Sequence, residues 1–194
     1  MKTKLDKRGD GDAMNAQHKD AKREQIAAAF IKLLEETPLE ELRIQDLCRE
    51  AGVSKATFYR LFPDKYEVGN WVYKSRVERI IREHPYLRCW SDWTLLIFAE
   101  MQENRRFFRH IASYRGQNSF FEFLANYFYS NVLSFRNASA PEPTKDQLYA
   151  IRMFSLIGAQ ATVDWIMQGC QPAPEEVQRR AELCLPDCIR VFYQ

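Results

Sequence analysis

The chain has 194 residues, with 28 basic and 26 acidic side chains, and is 46% hydrophobic, which is ordinary for a soluble globular protein. No apolar run approaches the roughly 18 residues of a membrane-spanning helix, and the N-terminus lacks the apolar segment of a secretory signal. We therefore expect a cytoplasmic protein that does not bind a membrane. Up to and including Lys65 there are 13 basic and 12 acidic residues, so net charge alone does not indicate nucleic-acid binding.

Residues suited to catalysis or metal binding are few. The chain has three histidines and five cysteines, without the spacing of metal ligands and without a GxSxG or a glycine-rich phosphate motif. The sequence therefore predicts a protein that is not an enzyme, with no catalytic residue, no bound metal and no cofactor.

The chain begins with a polar segment and then becomes helical. Residues 1–19 carry charges of both signs and almost no apolar periodicity, which favours a disordered arm. From Asp20 onward apolar residues recur with helical spacing, and Ile26, Phe30 and Leu34 fall on one face of a first helix.

The segment IQDLCREAGVSKATFYRLFPDK, residues 44–65, predicts two short helices joined by a sharp turn. Gly52 lies in the turn, where a chain reversal often needs a positive φ, and Ser54 is placed to cap the second helix. The exposed side chains of that helix are short or basic, which suits entry into a DNA major groove. We therefore predict a helix-turn-helix DNA-binding domain over residues 20–66, and a longer fourth helix that begins at Lys65.

The stretch GVSKATFYRLFPDK within this segment closely resembles the recognition-helix signature of TetR-type (TetR/AcrR) transcriptional regulators, and the likeness extends over residues 20–65. It implies an all-α fold of about nine helices. An N-terminal three-helix head would carry the helix-turn-helix, and a larger helical body, residues 67–194, would bind a ligand and form the dimer. The residues that would contact DNA are Arg43, Gln45, Ser54, Lys55, Thr57, Tyr59, Arg60 and Lys65.

The resemblance also implies separate roles within that set. The hydroxyl of Tyr59 would reach a phosphate, and Lys55 and Thr57 would touch bases or phosphates. Gln45 would read a base. Lys65 stands at the start of the fourth helix, where its charge and the helix N-terminus together would favour an anion.

Arg43 departs from the family pattern, which usually has Thr or Ser at the cap of the second helix. Arginine cannot accept a bond from the exposed backbone N–H groups, so that cap is lost. Either the guanidinium reaches a phosphate directly, or it pairs with Glu40 or Glu41 on the surface. The second possibility would weaken DNA binding and favour a co-regulator that acts through a protein partner.

The body carries 21 of the 26 aromatic residues of the chain. We expect its helices near residues 90–104, 105–114, 117–136, 144–169 and 174–193. The resemblance places a ligand cavity among them, and an apolar, aromatic pocket is the usual small-molecule site. The residues predicted to bind the ligand are Trp93, Phe107, His110, Tyr114 and Tyr127.

The last two helices are predicted to form a homodimer interface, because the penultimate helix resembles that of a TetR subgroup, in which these helices pair across a two-fold axis. Pro186 should kink or split the final helix. The predicted interface residues are Ile151, Phe154, Gly158, Ala161, Trp165, Leu183 and Ile189.

These features together predict a TetR-like repressor that binds palindromic operator DNA as a homodimer. Its body would respond to a small apolar or aromatic effector, whose identity does not follow from the sequence. The alternative is a helix-turn-helix co-regulator that acts through a protein partner.

Overall fold

The computed structural model describes residues 6–87, 90–134 and 142–190. Within these ranges every regular element is a helix, which confirms the predicted all-α class. None of the helices there is long and apolar enough to cross a membrane. The helices are α1 (Asp6–Leu33), α2 (Ile44–Glu50), α3 (Lys55–Leu61), α4 (Lys65–Glu83), α5 (Trp90–Glu103), α6 (Arg105–Ser113), α7 (Phe120–Ser134), α8 (Lys145–Met167), α9 (Pro174–Leu183) and α10 (Asp187–Arg190).

The chain divides into two compact units, residues 1–69 and 70–194, which we call the head and the body. The division falls inside α4, close to the boundary that the sequence predicts at residue 66. Each unit has buried apolar residues of its own.

The head is built around one apolar cluster. Ile26 and Phe30 of α1, Leu47 of α2 and Phe58 of α3 are all 0% exposed, and the three helices pack against one another. The apolar stripe predicted for the first helix is therefore confirmed. Phe58 is the side chain through which α3 is fixed on this cluster, because its neighbours on either side, Thr57 and Tyr59, are at least partly exposed.

The turn between α2 and α3 closes with a Schellman motif. The Gly52 N–H donates to the carbonyl oxygen of Arg49 (3.2 Å), and the Val53 N–H donates to that of Cys48 (3.0 Å). Gly52 has a φ of 62°, the left-handed conformation that this motif requires at its C′ position. The positive φ predicted for this glycine is confirmed, and a residue with a Cβ atom would be strained there.

Helix α1 begins earlier than the sequence predicts. It starts at Asp6, so the disordered arm predicted for residues 1–19 is wrong for residues 6–19, while residues 1–5 lie outside the described part of the chain. Once the packed residues from Ile26 onward hold a helix, each further residue adds a hydrogen bond without a new nucleation cost. The segment also contains no proline that would stop the helix.

The body is a set of packed helices, in which α7 lies against α8, α6 against α8, and α5 against α9. Its interior is rich in aromatic rings. Tyr73 lies edge-on to Phe120 and to Tyr127, each at 5.5 Å between ring centroids. A capping box opens α8, in which the Thr144 hydroxyl accepts from the Gln147 N–H and the Gln147 side chain accepts from the Thr144 N–H.

The last predicted helix, residues 174–193, is divided. Helix α9 ends at Leu183, and α10 begins at Asp187, directly after Pro186. The split predicted from the proline is confirmed, because its ring blocks the helical turn before it and offers no N–H. Residues 191–193 lie outside the described residues.

Candidate nucleic-acid interface and effector cavity

Helix α3 has one buried and one exposed face. Phe58 and Leu61 are buried, whereas Lys55, Tyr59 and Arg60 are exposed. Phe58 and Leu61 face the core. Lys55 and Tyr59 are four residues apart, so they lie next to each other on the exposed side of the helix. Tyr59 is 55% exposed, although its ring edge still contacts the Phe58 ring at a centroid distance of 5.4 Å.

The positive charges of the head fall into two groups. Arg49 is paired with Asp46 at 2.7 Å. Over the described part of the head, Arg43, Lys55 and Arg60 are exposed and make no ion pair within 4 Å. The face formed by the start of α2 and by α3 therefore keeps its positive charge, even though the head as a whole is nearly neutral. Unpaired cations of this kind neutralise the phosphates in protein–DNA contacts.

Arg43 precedes α2 with the extended backbone of an N-cap residue, φ −90° and ψ 139°. Its side chain makes no capping hydrogen bond, so the predicted loss of the cap is confirmed. Within residues 6–87, Arg43 forms no ion pair with Glu40 or Glu41. Of the two interpretations left open by the sequence, the geometry thus favours an available guanidinium.

Ser54 and Thr57 organise the start of α3. The Ser54 Oγ accepts the Thr57 N–H at 3.1 Å, and the Ser54 hydroxyl donates to the Thr57 Oγ1 at 3.0 Å. The cap predicted for Ser54 is confirmed. Both side chains therefore have a structural task besides any contact with DNA. Gln45, on α2, is exposed.

Lys65 has a role that the sequence does not predict. Its Nζ donates to the carbonyl oxygen of Glu40 (2.8 Å) and to that of Leu42 (2.9 Å), so it fastens the loop between α1 and α2. Burial lowers the pKa of Lys65, against the opposing influence of the Glu40 and Asp64 carboxylates. Two of the three ammonium donors are already used inside the chain.

The start of α4 already holds an anion of the chain itself. The Asp64 carboxylate accepts the N–H of Tyr66 at 2.8 Å and that of Glu67 at 2.9 Å. An external anion would have to displace this N-cap, which stabilises the helix. Both groups are thus engaged within the chain, and the anion contact expected of Lys65 and this helix N-terminus stays a prediction. Sequence reasoning missed the signal, which was an Asp directly before the helix.

The body contains a cavity of about 380 Å³, a size typical of small-molecule sites. Helices α4, α5, α7, α8 and α9 all contribute to its wall, which is mainly apolar and aromatic. No group of three His, Cys, Asp or Glu side chains that could hold a metal occurs among the described residues. Aromatic residues that line the cavity include Trp90, Trp93, Phe98, Phe128, Phe154 and Trp165.

Two of the five residues predicted to bind the ligand line this cavity, namely Trp93 and Tyr127. Phe107, His110 and Tyr114 do not line it, and their contact with a ligand stays a prediction. Phe107 is buried against Phe108 instead. The physical reason is that all three belong to α6 or its end, and α6 packs against α8 outside the cavity wall.

Two of the α8 residues predicted to form the dimer interface lie in the interior of their own chain. Ile151 is 0% and Trp165 4% exposed, and the Trp165 Nε1 donates to the Pro172 carbonyl oxygen at 2.8 Å. The single chain already buries these two residues, so their place in a dimer interface stays a prediction that this burial does not favour. Three further predicted interface residues line the cavity: Phe154, Gly158 and Ala161.

Another face of α8 is apolar and exposed. Tyr149, Met153 and Ile157 are 69%, 39% and 59% exposed, and their spacing of four residues places them in one row. Leu183 of α9, a predicted interface residue, is 73% exposed. The side chain of Ile189 lies outside the described residues. We call Tyr149, Met153, Ile157 and Leu183 the apolar surface.

Sequence profiles of known families match both units of the chain. The profile of bacterial regulatory proteins of the tetR family matches residues 26–68. That of a transcriptional regulator C-terminal region matches residues 89–185, half of the chain.

A curated relative and two solved structures are similar to this chain. The HTH-type dhaKLM operon transcriptional activator DhaS of Lactococcus lactis subsp. lactis (strain IL1403) is 24% identical over 86 residues, 44% of this chain and 46% of that protein. The match thus spans less than half of that relative. The structure described as the dihydroxyacetone kinase operon activator DhaS has a TM-score of 0.58 at 17% identity, over 89% of this chain and 98% of the other. A TetR transcriptional regulator from Rhodococcus sp. RHA1 has a TM-score of 0.57 at 16% identity, over 88% and 98%.

At these identities the structural likeness shows a shared fold, and the profile matches show the family. They agree with the helix-turn-helix of α2 and α3 and with the helical body that follows it. The chain belongs to the TetR family of bacterial transcriptional regulators.

Proposed function

We propose that this regulator acts in the cytoplasm, binds palindromic operator DNA as a homodimer, and responds to a small effector in the body cavity. The observation that carries the proposal is the exposed, unpaired set of Arg43, Lys55 and Arg60 beside Tyr59. These side chains supply phosphate contacts and base contacts from one face, although the head lacks the high net positive charge that is usual in DNA-binding domains.

DNA recognition divides between two kinds of contact. Arg43 and Tyr59 bind phosphates. These contacts fix the position of the head on the DNA but carry no information about the base sequence. Lys55 and Arg60, on the exposed face of α3, are the candidates for contacts with base edges in the major groove. Ser54 and Lys65 act indirectly, since one caps α3 and the other fastens the loop before α2.

The apolar surface is the part of the body that a second copy covers. Three of its four residues lie in one row on α8, so two copies related by a two-fold axis can bury the same row on both sides. Two heads so paired read half-sites about 34–36 Å apart, in successive major grooves.

The response to an effector is a population shift. Helix α4 begins at Lys65 in the head, and its later residues Tyr73, Val77 and Ile81 line the cavity. An effector that prefers one position of α4 favours the corresponding arrangement of the dimer. To move a population from 1:99 to 99:1 it must bind the favoured state about 5.5 kcal/mol more tightly.

The sign of regulation has two candidates. The prediction from the sequence is a repressor. The similar DhaS proteins are described as operon activators, which favours an activator as the second candidate. A reporter gene behind the selected operator separates them, because deletion of the regulator raises expression in the first case and lowers it in the second.

The test of the proposal is a selection of genomic DNA fragments by the purified protein, at low and moderate salt, followed by sequencing. We expect a palindromic sequence to be enriched, the enrichment to be lost in Tyr59→Ala, and to persist in Tyr86→Ala. Tyr86 is a matched control because it is 69% exposed and lies in the body. A folded wild-type dimer that enriches no sequence at either salt would contradict operator binding and favour the protein-partner co-regulator.

A further inference from the structure

The polar residues that line the cavity form two groups, a buried or half-buried one, which we call the inner end, and an exposed one, which we call the rim. Its inner end holds Tyr73, which is 2% exposed, together with Tyr127 and Asn131. The rim carries exposed polar or charged residues. Those rim residues are Asp164, Gln168, Gln171 and Arg180.

The charged groups of the rim are already paired within the chain. Arg180 forms an ion pair with Glu176, and the Asp164 carboxylate accepts from the Gln160 amide at 2.7 Å. The polar groups of the wall are also used. Those of Thr94, Thr162 and Trp165 each donate to a backbone carbonyl oxygen. A ligand thus finds few hydrogen-bond partners outside the inner end.

The two phenols at the inner end retain their protons. Burial raises the pKa of Tyr73, and the neighbouring Tyr127 adds to this effect. Burial also raises the pKa of Tyr127, as does the Glu78 carboxylate, while a hydrogen bond with Asn131 acts in the opposite direction. Both phenols line the cavity, and a protonated phenol can donate a hydrogen bond to a ligand.

Ionic ligands are disfavoured at this end. None of the described lining residues of the inner end is charged, and a buried ion without a partner is costly. The Glu78 carboxylate lies close enough to influence Tyr127, which opposes a second negative charge. Glu78 itself is exposed and lies 3.7 Å from the ammonium of Lys74, so it offers little compensation to a cation in the cavity.

We propose that the cavity binds one uncharged aromatic molecule, whose hydrogen-bond acceptor is seated against the hydroxyl groups of Tyr73 and Tyr127. The aromatic wall contacts the rest of the molecule. This inference rests on the proposed function, for which it names the chemical class of the effector.

The test uses four naphthalene probes of similar size: methyl 2-naphthoate, 2-naphthoate, (2-naphthylmethyl)trimethylammonium and 2-isopropylnaphthalene. Binding is followed by tryptophan emission, since Trp90, Trp93 and Trp165 line the cavity. We expect the neutral ester to bind at least about tenfold more tightly than either ion, in line with the cost of burying an unpaired charge.

A variant pair locates the acceptor. Tyr127→Phe should weaken the ester about three- to tenfold, the effect of one hydrogen bond, and leave 2-isopropylnaphthalene, which has no acceptor, unchanged. Tyr129→Phe is the matched control on the same helix, because Tyr129 does not line the cavity and packs against the cluster that contains Val132 and Ile151. It should change neither probe.

Each contrary result has a definite meaning. The inference is overturned if the ester does not bind, if either ion binds as tightly as the ester, or if Tyr127→Phe leaves the affinity for the ester unchanged. Operator binding is measured separately, with and without the ester. Ester binding as expected without any change in operator affinity would keep the assignment of the cavity and contradict the effector role. Intact operator binding with no ester binding would contradict the assignment of the cavity and leave the proposed operator binding unaffected.

Discussion

The recognition helix α3 and the long helix α8 both follow a helical pattern, yet they differ in how far the pattern assigns their faces. On α3, Phe58 is 0% and Tyr59 55% exposed, because a polar face leaves only one side for the core. Two rows of side chains on α8 are apolar. The row that contains Ile151 is buried in its own chain, whereas the row that contains Ile157 is exposed. A contrast between polar and apolar faces therefore determines orientation, whereas a helix that is apolar on two sides needs its neighbours to decide.

Two substitutions on α3 should separate the loss of stability from the loss of DNA binding. Phe58→Ala should cost about 3–5 kcal/mol of the free energy of unfolding of the head, because it opens a cavity in a fully packed site. Tyr59→Ala should change that free energy by no more than about 0.5 kcal/mol and yet abolish operator enrichment. Urea unfolding measures both variants. A stability loss in Tyr59→Ala as large as that in Phe58→Ala would mean that the two faces are not distinct.

The same comparison on α8 distinguishes the two apolar rows. Ile151→Ala should cost about 2–5 kcal/mol at any protein concentration, since the monomer buries this side chain. Met153→Asp should leave the monomer folded and shift the dimer towards monomers, because a charge enters the apolar surface at a residue that does not line the cavity.

Sedimentation equilibrium and urea unfolding separate these two outcomes. A dimer that persists in Met153→Asp but dissociates in a folded Ile151→Ala would support the interface predicted from the sequence.

Part of this arrangement followed from the residues alone. The turn at Gly52, the Ser54 cap and the exposed cations of α3 were predictable because each depends on neighbours in the chain. The loop clamp of Lys65 was not, since its partners Glu40 and Leu42 come from a distant loop. The cavity was only partly predictable for the same reason, because helical spacing does not say which apolar row meets a cavity and which meets the core.

Lys65 provides a prediction of intermediate size. Lys65→Met should cost about 1.5–3 kcal/mol, since two carbonyl oxygens are deprived of a charged donor. Operator affinity should fall with it, but the dependence of affinity on salt should stay nearly unchanged, because this ammonium is engaged within the head. A clear decrease in the salt dependence would instead indicate a direct phosphate contact.

The smallest expected stability change concerns Arg43. Arg43→Ser restores a side chain that can cap α2 and should raise the free energy of unfolding by about 0.5–1 kcal/mol. Operator affinity should fall at the same time, because the serine side chain is too short to reach the phosphate that the guanidinium binds. Thermal unfolding and fluorescence anisotropy with the selected operator measure the two effects. A stabilised variant with undiminished affinity would show that Arg43 does not contact DNA.

In the proposed function, DNA affinity depends on the unpaired cations of the head and not on its net charge. The slope of log operator affinity against log salt concentration tests this point, in wild type, Arg43→Gln and Arg49→Gln. Arg49 is the matched control because it is exposed but paired with Asp46. In Arg43→Gln we predict a slope that becomes shallower by about 1 for each phosphate contact removed, hence by about 2 per dimer, and in Arg49→Gln no change. Equal slopes in all three proteins, or an affinity that does not depend on salt, would contradict it.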